Sequence, residues 1–112
     1  MPVADHVYEY AARIVRLTRP DQPESTPYIN ESVSWGAGPR ASIYLIMAAK
    51  ARAVIKGRYH ATIEDLHAVA LPVLRHRVMP TFNAEALGIR SDDIVEEVIR
   101  VISGSQVQVG AA

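Results

Sequence analysis

The segment Gly36-Ala37-Gly38-Pro39-Arg40-Ala41-Ser42 brings a flexible turn, a helix start and a permanent cation together within seven residues. Pro39 suits the first helical position, where a missing N–H forfeits no bond, and the glycines before it permit a tight turn with outward-facing backbone amides. The positive end of the helix dipole favours an anion there, and it disfavours an exposed Arg40 by roughly 0.3 to 1 kcal/mol. A purely structural helix would carry Asp or Glu instead. A planar guanidinium beside free amides is the chemistry of phosphate recognition, so Gly36, Ala37, Gly38, Pro39 and Arg40 form the candidate anion site. The competing reading is an ordinary surface arginine at a helix start.

A second basic group, Arg75-His76-Arg77, suits an interface with a neighbouring domain or subunit, and equally a solvated turn closed by local salt bridges. Other chemistries find little to work with. Among His6, His60, His67 and His76 only His67 stands in a Glu-x-x-His pair, with Glu64, whereas a di-iron centre needs a second pair and further carboxylates. No His-Glu-x-x-His helix occurs, so no metal site is expected. With no cysteine there is no disulfide frame, thiolate ligand or thiol nucleophile, and no Gly-x-Ser-x-Gly elbow supplies a serine. A self-sufficient ATPase requires Gly-x-x-x-x-Gly-Lys-Ser/Thr and an acidic pair for magnesium; neither is present, so this chain is not expected to hydrolyse ATP alone.

The elements that must hold these residues follow from composition and periodicity. A length of 112 residues, 49% hydrophobic, fits one domain with a modest core. Twelve basic and twelve acidic residues cancel, leaving no global field toward nucleic acid or an acidic membrane. No apolar run approaches the roughly 20 residues of a membrane span, and Met1 to Asp5 lacks the order of a signal peptide; a soluble, cytoplasmic protein is expected.

Helical spacing of Val7, Tyr8, Ala11, Ile14 and Val15 predicts a first helix from Ala4 to Arg19, stopped by Pro20. The polar, proline-rich interval Asp21 to Pro27 is a connection that delivers Tyr28, Ile29, Val33 and Trp35 to pin the glycine turn, with Trp35 as a core or rim anchor. Pro39 to Lys56 is apolar almost all round and predicts the central helix, with Lys50, Arg52 and Lys56 reaching water along their stems and Gly57 ending it. Thr62 caps a third helix carrying Ile63, Leu66, Val69 and Ala70, which Pro72 breaks, leaving a short helix from Pro72 to His76. Residues 77–82 are expected to be irregular or briefly extended, and Asn83 to Gly88 one helical turn. Ser91 caps a last helix with Ile94, Val95, Val98, Ile99 and Ile102 as its buried stripe and Glu96 to Arg100 as a surface pair. Residues 103–112 form a loose tail beyond an all-α bundle over 1–102, with four main helices plus short helical turns.

Gly-Ala-Gly-Pro-Arg-Ala-Ser at 36–42 resembles the sensor 2 motif of AAA+ ATPases, and Ala70-Leu71-Pro72-Val73-Leu74-Arg75-His76-Arg77 resembles a stretch of the C-terminal helical lid of the MoxR family. The similarity runs from Pro2 to Ile102 and covers the lid only. It implies that an N-terminal AAA+ core of the same polypeptide binds ATP and Mg, and that Arg40 reaches the terminal phosphate and couples nucleotide state to domain movement. It further implies a hexameric ring with chaperone-like work, alongside proteins with von Willebrand factor A domains. Two positions depart from the family pattern: Gly38 stands where serine is usual, and Ile63 where proline often follows the capping threonine.

A different class remains open, a stand-alone helical module that binds protein or DNA with no ATPase parent. Thr62 to Ala70 and Pro72 to His76 would be its helix-turn-helix pair, against which the junction proline, the zero net charge and the apolar second helix argue.

Overall fold

The computed structural model describes residues 3–111, with side chains from 3 to 104. In chain order the elements are α1 (Asp5–Leu17), α2 (Pro27–Ser32), β1 (Val33–Trp35), α3 (Arg40–Ile55), α4 (Ile63–Leu74), β2 (Met79–Pro80), α5 (Phe82–Ala86) and α6 (Ser91–Ala111). The four long helices pack around one core, with α3 lying mainly on α4 and then on α1, while α6 closes against α4 and α1. The expected bundle is present, with a two-stranded ribbon added to it.

In α1 the buried residues are Val7, Tyr10, Ala11, Ile14, Val15 and Leu17, and Tyr8 is 48% exposed. Tyr10 lies three residues from Val7 and four from Ile14, so it takes the middle of the stripe and Tyr8 falls to the edge. The connection from Asp21 leads into α2, a helix that periodicity did not announce. Its local signal is Thr26-Pro27: the threonine hydroxyl accepts the Ile29 amide at 3.3 Å and the proline takes the first turn.

β1 runs antiparallel to β2, pairing Val33 with Pro80 and Trp35 with Met79 across an irregular register. Thr81 strengthens the junction, its amide donating to Ser32 O at 2.8 Å and its hydroxyl to Glu31 O at 3.1 Å. Ile29 and Val33 are buried as expected. Trp35 is 72% exposed, so it is no core anchor; the ribbon turns it outward beside Met79.

α3 is central, but it is not buried all round. Ala41, Leu45, Ala49 and Ala53 form a buried i, i+4 stripe, whereas Ile43, Met47, Val54 and Ile55 are exposed, because the rest of the chain covers one side only. Gly57 ends the helix in the left-handed region at φ 75°.

Thr62 and Asp65 close the start of α4 as a reciprocal capping box. Contrary to expectation, α4 continues through Pro72. The proline removes one bond near the C-terminal end, at a cost of about 3 kcal/mol in a helix interior. Leu66, Ala70 and Leu74 continue the buried stripe across it, and each fully buried leucine contributes about 1.5 to 3 kcal/mol. The bonding resumes at once, Arg75 N donating to Leu71 O at 3.0 Å. The two halves of the supposed helix-turn-helix pair are thus one unbroken helix.

α5 starts under a Thr81 hydroxyl that accepts the Ala84 amide at 3.1 Å, and Gly88 closes the turn at φ 81°. Ser91 is itself the first residue of α6; Asp93 performs the capping, its carboxylate accepting the Arg90 amide at 2.9 Å. Ile94, Val95, Val98 and Ile102 are buried as predicted. Arg100 pairs with Glu97, three residues back, instead of Glu96. The backbone of α6 continues to Ala111 where a loose tail is expected from Ser103; the side chains of 105–112 lie outside the described residues.

Candidate functional site

The turn before α3 is held from the end of α1. Thr18 is wholly buried; its hydroxyl donates to Val15 O at 2.6 Å and accepts the Ala37 amide at 2.9 Å. Arg19 Nε donates to the Ala37 carbonyl at 2.9 Å. Gly36 passes so close that a Cβ there would stand 2.5 Å from Thr18 O and 2.6 Å from Arg19 Cα, both backbone atoms. Glycine is therefore required at 36 for want of space.

These contacts correct one expectation: the Ala37 amide does not face outward for an anion, because Thr18 already uses it. Gly38 is open, with nothing within 4 Å of a Cβ placed on it, and its carbonyl accepts Ala41 N at 3.0 Å. Pro39 already has helical dihedrals, φ −59° and ψ −31°, but Arg40 is the first residue of α3. Ser42 Oγ donates back to Pro39 O at 3.0 Å.

Arg40 is exposed, and among the described residues it has no hydrogen bond and no ion pair. The first turn of α3 contains no acidic residue. A guanidinium and the positive end of a 16-residue helix thus lie together without an anionic partner, an arrangement that favours a negatively charged ligand. Beyond Arg40, Ser42, Ile43, Ile46, Met47 and Lys50 join Tyr8 of α1 around an open cleft of about 230 Å³.

The second basic group is partly tied up locally. Arg75 Nε lies 3.4 Å from an Asp92 carboxylate oxygen. Arg77 donates to Val73 O at 2.7 Å and stacks its guanidinium 4.7 Å from the ring centre of Tyr44. His76 is exposed. Tyr44 is one turn after Arg40, so the stacked Arg77 borders the face of α3 that carries Arg40.

Two ion-pairing residues escape sequence reasoning. Arg52, expected to reach water, lies 2.6 Å from Asp65, which Arg58 also grips on both oxygens. Asp65 is wholly buried; the Arg58 contact above all, with the Thr62 amide and Arg52, outweighs burial and holds its carboxyl far below the usual carboxylate range. This triad staples the end of α3 to the start of α4. Thr18 and Arg19 were likewise invisible, since no spacing rule links a helix terminus to a turn 18 or 19 residues later. Among the described residues no three His, Cys, Asp or Glu side chains gather as a metal site.

With this geometry in hand, likeness to known proteins is informative. Residues 27–98 match the AAA lid domain family. The chain is 32% identical over 99 residues to Chaperone MoxR1 of Mycobacterium tuberculosis, covering 88% of this chain and 26% of that protein. It is 37% identical over 70 residues to Protein MoxR of Methylorubrum extorquens, covering 62% of this chain and 20% of that one. The crystal structure of a candidate ATPase from Cytophaga hutchinsonii superposes with a TM-score of 0.82 at 31% identity, over 88% of this chain and 30% of that chain. The chain therefore spans 20 to 30% of the length of these relatives.

Proposed function

This chain belongs to the AAA lid domain family, and from that premise we propose that it serves a MoxR-type AAA+ ATPase by supplying Arg40 as the sensor 2 residue. The ATP and Mg are held by an N-terminal core of the same polypeptide. The observation that carries this reading is the unpaired, exposed Arg40 on the first turn of a helix with no acid to neutralise it. The donor set fits one anionic oxygen group: a guanidinium can give two parallel, charge-assisted bonds, but one turn amide is already committed to Thr18. Magnesium and the remaining phosphates fall to the core.

Each part of the chain then has a task. Arg40 binds the terminal phosphate, α3 transmits its position to the lid, and the exposed apolar side chains Ile43, Tyr44 and Met47 are the surface the core covers. Loss of the phosphate removes the bond and lets the lid angle change, which is how a single contact becomes domain movement. Arg75, His76 and Arg77 form a domain or subunit interface. At the level of the assembly, the reading is a hexameric, chaperone-like remodelling ATPase in the cytoplasm, working with von Willebrand factor A domain proteins.

In the polypeptide that joins this lid to its core, Arg40→Ala should lower kcat for ATP by about 10² to 10³, the cost of one lost donor aimed at developing charge. Stability of the lid should change by no more than about 0.5 kcal/mol, as for an exposed side chain. Unchanged turnover would overturn the reading.

A further inference from the structure

We propose that Thr18 and Arg19 are positioning residues for Arg40, forming a latch that makes the end of α1 and the turn 36–38 move as one piece. The inference rests on the sensor reading above, in which the nucleotide-binding core precedes α1 in sequence. The latch has three parts. The Thr18 hydroxyl holds the Ala37 amide, the Arg19 Nε holds the Ala37 carbonyl, and Gly36 fits against the backbone of both. Both polar groups of one peptide residue are thereby fixed, three positions before Arg40.

The chemistry is more than general packing. Ala37 is 1% exposed and Thr18 is fully buried, so the hydroxyl–amide bond is shielded from water and has no competitor. Thr18 Oγ1 also donates to Val15 O, which orients its lone pair toward Ala37 and leaves the hydroxyl no freedom to rotate. Only Gly38 and Pro39 stand between the latch and Arg40: Gly38 has open space around it but its carbonyl accepts Ala41 N at 3.0 Å, and Pro39 already has the helical dihedrals φ −59° and ψ −31°. The direction of the arginine is therefore set from α1, the helix nearest to the joint with the core. A rotation at that joint reaches Arg40 through Thr18, Arg19 and Ala37 without first deforming α3.

The experiment is a double-mutant cycle on the full polypeptide containing core and lid, reading kcat and KM for Mg-ATP together with thermal unfolding. Thr18→Val, which keeps the shape and deletes the hydroxyl, should reduce kcat about tenfold and also raise KM, because a misdirected Arg40 loses both its bond to the bound terminal phosphate and its aim at the charge developing there. Thr18→Ser should recover kcat to within about twofold, since it keeps the hydroxyl. In an Arg40→Ala background, Thr18→Val should cause no further loss. An equal loss in both backgrounds, or none in the presence of Arg40, overturns the latch while leaving the sensor role of Arg40 standing. An Arg40→Ala protein with full turnover overturns the sensor role and the latch together. If Thr18→Val fails to fold, Arg19→Met, which removes the donor to the Ala37 carbonyl from a half-exposed side chain, is read in the same cycle with the same criteria.

Discussion

Two glycines two residues apart are under opposite constraints. At Gly36 a methyl group would meet backbone at 2.5 Å, and backbone cannot rotate aside. Gly36→Ala should destabilise the chain by about 1 to 3 kcal/mol, the range for forced overpacking. Gly38 has room and no left-handed dihedral, so Gly38→Ser should stabilise it by about 0.4 to 1 kcal/mol through a less flexible unfolded chain and a hydroxyl at the helix start. Urea unfolding midpoints of the two variants, moving in opposite directions, check both claims. The turn itself was legible because glycine, proline and arginine each have a local preference. Its anchoring was not: Thr18 and Arg19 look like the ordinary end of a helix before Pro20, and only the folded chain brings them to Ala37.

Between elements, the α1–α4 contact carries a pH dependence. The Tyr10 hydroxyl lies 2.5 Å from His67 Nε2, and burial pushes the His67 imidazole below its ordinary value of 6.5. The bond joins the tyrosine hydroxyl to a ring nitrogen that accepts or donates according to tautomer, and burial of the ring favours its neutral form. Below about pH 6.5 the unfolded chain takes up a proton that the folded chain resists, so stability falls as pH drops through that value. Stability should therefore decline between about pH 7.5 and 5.5. His67→Gln should abolish most of that slope in thermal unfolding. Asp65 does not confound the measurement, because its arginines keep it ionised well below this window. Element positions were largely readable from spacing, while two failures share a cause. Pro72 was expected to end a helix, and α3 to be covered all round; local preference cannot report that Leu74 has a core to enter, or that Ile43 and Met47 have none.

For the molecule as a whole, a lid without its core should be a poor nucleotide binder. Charge-assisted hydrogen bonds from one arginine contribute about 1.5 to 3 kcal/mol each, and two of them scarcely offset the roughly 4 kcal/mol or more that association costs in lost freedom. Titration of the 112-residue chain with Mg-ATP should show no saturation at micromolar concentrations, by calorimetry or by shift in melting temperature. Chelation of the metal should leave its melting unchanged.

The outward turn of Trp35 has one more consequence. It is the sole tryptophan of the chain and immediately precedes Gly36, so every ultraviolet emission signal excited selectively in this protein originates beside the turn that leads to Arg40. A single native fluorophore thus stands at the junction between ribbon and helix, where its colour will register whether solvent or another surface lies against it.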